Sequence, residues 1–153
     1  MLWLLRHADA AAGSPDELRP LTELGRTQAR TAGTALARLG VPIELCLTSP
    51  KLRARQTAEL ACEPLGIEII ETNELTGEPF DAERIAAGIE HALLVGHDPA
   101  ISLALHDLTG AQARMRKGGL AGVEQGELVV LMTPSELQAI ASAEGIAPGE
   151  AVV

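Results

Sequence analysis

Aromatic side chains are almost missing: one tryptophan, Trp3, one phenylalanine, Phe80, and no tyrosine in 153 residues. Single-stranded nucleic acid is held largely by stacking bases on aromatic rings, so that mode of binding has almost nothing to use here. Positive charge is scarce as well. Twelve Lys and Arg stand against 21 Asp and Glu, a formal net charge of −9, which repels phosphate backbones and anionic membranes at long range. Neither nucleic acid nor membrane is therefore an expected partner, and any anion site must be a local basic pocket. Cysteine is limited to Cys46 and Cys62 with no CxxC pattern, which implies neither a disulfide framework nor a structural zinc site. Both are expected to be buried, reduced thiols. No run approaches the roughly 18 apolar residues of a membrane span. Arg6 and His7 interrupt the first apolar stretch, so it does not read as a signal peptide, and a cytoplasmic protein is the expectation.

What is present is apolar and aliphatic. Hydrophobic residues make up 46% of the chain, which argues against disorder, and the length suits one domain with a sizeable core. That core must be built from Leu, Ile, Val and Ala. Leu2-Trp3-Leu4-Leu5 reads as a short buried strand that stops at Arg6-His7. Leu21 to Leu39 reads as a helix, with apolar positions Leu21, Leu24, Ala29, Ala32, Ala35, Leu36 and Leu39, Thr22 as N-cap and Gly40 as stop. A second strand is expected over Glu44 to Thr48. Ser49-Pro50 reads as cap and first position of a helix running to about Glu63. A third strand, Ile67 to Ile70, precedes a loop from Glu71 to Phe80, and Asp81 caps a helix expected to reach about Glu90. Ala92 to Gly96 is a fourth strand, and Asp98-Pro99 opens a helix to about Leu108. Leu120 to Glu124 and Glu127 to Met132 flank a Gln125-Gly126 turn. Thr133 or Ser135 caps a last helix, and Gly145 to Val153 is a tail. Strands alternating with helices predict an α/β fold with a mainly parallel sheet covered on both faces, the late hairpin adding one antiparallel strand.

Three of these strands end in the same way. The first delivers Arg6 and His7, the second runs into Ser49-Pro50 with Arg53 one turn on, and the fourth delivers His97. In open α/β sheets, ligands bind at the carboxyl ends of the strands. Two arginines and two histidines at one such edge suit a dianionic tetrahedral group, because each guanidinium is a planar fork that stays charged. A neutral imidazole among them can attack phosphorus, its pKa held down by neighbouring cations. The second imidazole can stabilise charge on the transferring group. Taken singly, each feature is more often a capping, surface or turn feature, and joint placement is what favours chemistry. His91 and His106 lack that placement and read as structural. Two His flanked by two Arg would repel a metal cation.

The motifs Leu5-Arg6-His7-Ala8, Arg19-Pro20-Leu21-Thr22-x-x-Gly25, Ser49-Pro50-x-x-Arg53-Ala54-x-Gln56-Thr57-Ala58 and Val95-Gly96-His97-Asp98-Pro99 follow one another in this order. As a set they resemble the histidine phosphatase superfamily, with its phosphoglycerate-mutase-like fold. The Arg-Pro-Leu-Thr block and the short length are similar to the SixA-type phosphohistidine phosphatases, whereas the C-terminal third resembles them only loosely. The resemblance implies a three-layer α/β/α architecture with a mixed sheet of about six strands, one domain over residues 1–153 without a large cap insertion, and no metal or other cofactor. It implies that His7 accepts the phosphoryl group, that Arg6, Arg53 and His97 form the phosphate pocket, and that Arg19 binds substrate near its edge. Ala8 stands where the family commonly has glycine.

The resemblance leaves the substrate open. From Thr57 to His97 a helix, a strand, a loop and a short helix use nearly all of the chain, leaving little for a lid. An open pocket suits phosphohistidine on a protein partner in signal transduction, and it also admits a broad range of phosphate monoesters. A monoesterase needs an acid to protonate an alkoxide leaving group. Glu74 and Glu78 lie in the loop where such an acid is expected, but Glu74-Leu75-Thr76-Gly77-Glu78 does not reproduce the usual acid motif, and a phosphohistidine leaving group needs less help, so phosphohistidine of a protein partner is the expected substrate. A phospho-binding module that uses the same pocket without catalysis is a third reading, which an intact His7 disfavours. The Arg114 to Lys117 stretch carries three cations in a loop without periodicity. It reads as a solvated loop or as a surface that steers an acidic partner.

Overall fold

In the computed structural model, which describes residues 1–144, six strands form one sheet in the order β3-β2-β4-β1-β5-β6. The strands are β1 (Leu2–Arg6), β2 (Leu45–Thr48), β3 (Glu68–Glu71), β4 (Ala92–Gly96), β5 (Leu120–Glu124) and β6 (Glu127–Met132). β1, β2, β3 and β4 run parallel, and β5 is antiparallel to both of its neighbours, β1 and β6. One reversed strand in a mainly parallel sheet is the arrangement that the late hairpin predicts. Gln125 and Gly126 both take positive φ at the turn, as a tight two-residue hairpin requires.

The helices are α1 (Glu23–Arg38), α2 (Leu52–Cys62), α3 (Ala82–Ile85), α4 (Ala100–Thr109) and α5 (Pro134–Ser142). Alternation along the strands sends side chains to opposite faces of the sheet. Trp3, Leu5, Cys46, Leu93 and Val95 pack with Ala32, Ala35, Leu36, Ala54, Ala58 and Leu137 from α1, α2 and α5. Leu4, Leu47, Leu94 and Ala121 pack on the other face with Ala82, Ile101, Ala104 and Leu105 from α3 and α4. The result is a three-layer α/β/α fold. Cys46 and Cys62 are both buried free thiols, and the neighbouring Cys62 thiol together with burial pushes the Cys46 thiol well above its usual range. No helix among the described residues is long and apolar enough to cross a membrane.

Several boundaries differ from the sequence reading. Leu21 is not helical but bridges to Ala10, and α1 begins at Glu23 behind the Thr22 cap, whose Oγ1 accepts from the Gly25 amide at 3.0 Å. Leu24 and Leu39 lie outside the buried stripe, 59% and 50% exposed. The buried face carries Leu36 and mostly small residues, and α1 lies close against α2 at Gly33, where a Cβ would come within 2.2 Å of the Ala61 carbonyl oxygen. α2 starts at Leu52 rather than Pro50, since Lys51 is still extended, although the Ser49 hydroxyl accepts from the Lys51 amide at 3.2 Å as a cap would. α3 ends at Ile85 instead of near Glu90, and Gly88 takes φ +83° in the turn beyond it. β3 is shifted by one residue from the expected Ile67 to Ile70. The Thr133 hydroxyl, expected to cap α5, donates to the Glu136 carboxylate and caps no backbone amide. The expected tail lies outside the described residues.

Candidate active site

Parallel register explains why the predicted residues meet. Arg6 of β1 is level with Gly96 of β4, and Val95 of β4 is level with Thr48 of β2. The residues that follow these three adjacent strand ends are His7, His97 and Ser49, and the pairing continues past the strands. The His7 amide donates to the Gly96 carbonyl at 2.9 Å, and the Ser49 amide to the Val95 carbonyl at 3.0 Å. The imidazole rings of His7 and His97 lie 5.1 Å apart between centroids, tilted by 55°. Both are nearly buried, 7% and 5% exposed.

The tautomer of His7 follows from its partner. Its Nδ1 lies 2.8 Å from the Ala8 carbonyl oxygen. A carbonyl only accepts, so Nδ1 carries the proton and Nε2 keeps a free lone pair. Burial holds the His7 pKa down at about 4; the bond to Ala8 opposes this, and the Arg53, Arg6 and Lys117 charges reinforce it. Burial is also the main reason that the His97 pKa falls to about 3, with His7, Arg53 and Lys51 adding to it and the Asp16 carboxylate acting against it. His97 Nε2 lies 2.8 Å from the Ser49 hydroxyl, and its Nδ1 is buried without a partner. Two neutral imidazoles thus sit among fixed cations.

Arg53 is almost buried, and the loop before α1 reaches over to meet it. Its Nη1 donates to the Asp16 carbonyl at 2.9 Å and its Nη2 to the Asp16 carboxylate at 3.2 Å. The same carboxylate lies 3.0 Å from Arg19 and 3.4 Å from Lys51. Arg19, whose Nε donates to the Ala11 carbonyl at 2.8 Å, therefore joins the site through Asp16. Although 52% of its side chain is exposed, the Asp16 carboxyl is held at about 2, chiefly by the Arg19 hydrogen bond and then by Arg53 and Lys51, against some desolvation. Arg6 donates from Nη1 to the Met115 carbonyl at 2.8 Å, and this nitrogen lies 3.8 Å from Asp98.

The supporting residues are equally specific. Thr57 donates to the Arg53 carbonyl at 2.7 Å and accepts from the Ala8 amide at 3.0 Å, so one hydroxyl ties α2 to the His7 loop. Gln56 accepts from the Leu21 amide at 2.8 Å. The Ala8 methyl is fully buried in a small cluster with Leu21 and Ala29, so it packs into the fold rather than into the pocket. Gly25 is where α1 passes the His7 loop: a Cβ there would sit 1.9 Å from the Asp9 carbonyl oxygen.

Asp16, Lys51 and the role of Ser49 escape the sequence reading. Asp16 and Lys51 had no pattern to mark them, and Ser49 was expected to cap a helix. The two other histidines stand apart as expected. His91 lies 3.8 Å from Glu90 just before β4, at the opposite end of that strand from His97, and His106 faces the Ala111 carbonyl at the end of α4. Glu74 is ion-paired with Arg84, and with Glu78 it lines a cavity that contains none of Arg6, His7, Arg53 or His97.

A profile of the histidine phosphatase superfamily (branch 1) matches residues 2–77. The fold superposes on a protein histidine phosphatase SixA complexed with tungstate at a TM-score of 0.79, with 27% identity over 89% of this chain and 98% of that one. This chain belongs to the histidine phosphatase superfamily. A SixA protein from Agrobacterium tumefaciens matches at a TM-score of 0.76, 28% identical over 87% of this chain and 97% of that one. An uncharacterized protein of Picosynechococcus sp. is 34% identical over 96% of this chain and 99% of its own length. The 2,3-bisphosphoglycerate-dependent phosphoglycerate mutase of Methylobacterium sp. is 39% identical, but only over 42% of this chain and 29% of the mutase. This superfamily member is therefore like the SixA proteins along nearly their whole length and like the mutase over one part.

Proposed function

We propose that this superfamily phosphatase removes the phosphoryl group from a phosphohistidine on a protein partner, in two steps through His7. The observation that carries the mechanism is the state of His7: Nδ1–H is fixed on the Ala8 carbonyl, which leaves Nε2 free beside Arg6, Arg53 and His97. Nε2 attacks phosphorus, a new P–N bond forms, and the P–N bond to the substrate imidazole breaks. Arg6 and Arg53 neutralise the equatorial oxygens. His97 adds a hydrogen bond to the transferring group, and Ser49 fixes its ring. Water then attacks the phosphorylated His7, releasing inorganic phosphate and restoring the free imidazole. Arg19 acts at the edge of the pocket through its contact with Asp16.

The choice of leaving group rests on Glu74. Its carboxylate is ion-paired with Arg84, which competes with any role in protonating an alkoxide. A phosphohistidine ring protonated on its other nitrogen leaves as neutral imidazole, far less basic than an alkoxide, and needs less help from an acid. The chain between Thr57 and His97 is used up by α2, β3, two short 3-10 turns, α3 and β4, which leaves little of it to cap the pocket. A site with little to cap it suits a phosphate carried on a protein, and the function assigned here needs no cofactor. The test compares phosphate release from a phosphohistidine protein and from p-nitrophenyl phosphate, for the wild type and His7→Ala. Much faster release from phosphohistidine, abolished by the substitution, is expected. Equal or faster release from the ester would overturn the substrate assignment, and release that survives His7→Ala would overturn the mechanism.

A further inference from the structure

Seven of the twelve basic residues gather at one edge: Arg6, Arg19, Lys51 and Arg53 in the site, then Arg114, Arg116 and Lys117 beside it. In a protein of net charge −9, that segregation leaves the rest of the surface strongly acidic. The last three cations are not on a loose loop. Met115 between them is buried at 1% exposure in the core beneath α4. Its amide donates to the Ser102 hydroxyl at 3.1 Å, and Ser102 donates to the Asp98 carboxylate at 2.7 Å. The Met115 carbonyl accepts from Arg6, and the Gly118 amide donates to the carbonyls of Arg6 and His7 at 3.1 and 3.2 Å. The segment is thus fastened to the two residues that begin the phosphate pocket, with a buried anchor in its middle.

Anchoring Met115 turns Arg114 and Arg116 outward. Both are exposed, and among the described residues neither makes an ion pair. Lys117 lies 3.8 Å from Asp9. Together with Arg6, Gln28 and Met115 they line a cavity of about 460 Å³ that contains no carboxylate. Arg6 is shared between this cavity and the phosphate pocket, and its Nε is buried without a hydrogen-bond partner. Unpaired cations on a fixed backbone attract and orient carboxylates, and they add to encounter rate as well as affinity.

We propose that the Arg114–Lys117 segment is a docking surface for a carboxylate-rich stretch of the phosphorylated partner, next to its phosphohistidine. The inference rests on the phosphohistidine reading for its substrate but has a readout independent of it. Two peptides with one histidine, phosphorylated with phosphoramidate and differing only in glutamate or glutamine at the flanking positions, are compared as substrates. At low salt the wild type prefers the glutamate peptide by about five- to thirtyfold in kcat/KM, as two exposed ion pairs would give. The preference shrinks as salt rises and falls to near unity in the double variant Arg114→Gln/Arg116→Gln. Using the ratio of the two peptides cancels any general change in the pocket. Equal turnover of both peptides by the wild type, or an unchanged preference in the double variant, overturns the proposal. If neither peptide is dephosphorylated, the phosphohistidine reading fails, and docking is judged by the fluorescence anisotropy of the labelled, unphosphorylated glutamate peptide. Salt-sensitive binding that the double variant loses upholds the docking surface. No binding, or equal binding by both proteins, overturns it.

Discussion

Lowering the pH should unfold this protein through its two site histidines. Both imidazoles are neutral in the folded state, with pKa values of about 4 for His7 and about 3 for His97, against the ordinary 6.5. A depressed folded pKa means that the unfolded chain takes up protons first as pH falls. Stability is therefore fully present above 6.5, declines as pH falls from 6.5 toward the folded values, and levels off only below them. Between about pH 7.5 and about pH 5, the His7 values correspond to a loss of about 2 kcal/mol, and those of His97 add a similar amount. The Asp16 carboxylate contributes nothing in this window, because its stabilisation lies above its ordinary 3.8 and is lost only as pH falls toward about 2. The expected total is about 4 kcal/mol, which with an m-value of about 2 kcal/mol/M lowers the urea midpoint by about 2 M. His7→Gln removes one of the two sites and should remove about half of the pH dependence. Identical midpoints at the two pH values, or a folded His7→Gln variant with the full wild-type dependence, would refute the claim that His7 is held neutral in the pocket.

Other perturbations give separable results. Gly25→Ala places a methyl against the Asp9 carbonyl, 1.9 Å away before relaxation, and should cost about 3 kcal/mol, read as a lower melting temperature; an unchanged melting temperature would show that the two backbones are not in close contact. Asp16→Asn removes the internal anion from Arg19, Lys51 and Arg53 but keeps the carbonyl that holds Arg53. Vanadate should then inhibit at about three- to tenfold lower concentration, and weaker inhibition would mean that the Asp16 carboxylate positions Arg53 rather than competing for it. Arg53→Lys loses the planar fork and should lower kcat/KM by about a hundredfold; a change of only severalfold would mean that Arg53 supplies charge alone.

Much of this arrangement was legible because it is local. The strand ends at Arg6, Thr48 and Gly96, the Thr22 cap and the Gln125-Gly126 turn each show in a few consecutive residues. The convergence of Arg6, His7, Arg53 and His97 follows from parallel strands ending together, which the repeated strand-then-charge pattern announces. Asp16 was not legible, since its partner Arg53 is 37 residues away and nothing in a polar loop marks which carboxylate will reach across. Ser49 was legible only in part. Ser-Pro before a helical stretch has the form of a cap, and the hydroxyl does accept from the Lys51 amide, but it also faces His97, and the helix waits until Leu52. The apolar spacing of α1 likewise counted Leu24 and Leu39 as core, although the face that is buried carries Ala29, Ala32, Gly33, Ala35 and Leu36. The loop from Arg114 to Lys117 has no periodicity to read, and its anchoring by Met115 is visible only in three dimensions.

The central claim is that His7 Nε2 carries the phosphoryl group. It is tested most directly by mixing the enzyme with a phosphohistidine protein, quenching in alkali within one turnover and mapping the adduct by mass spectrometry. The account predicts an alkali-stable, acid-labile phosphoryl group on His7, absent from His7→Ala. Turnover with no adduct on His7, or with the adduct on another residue, would contradict it.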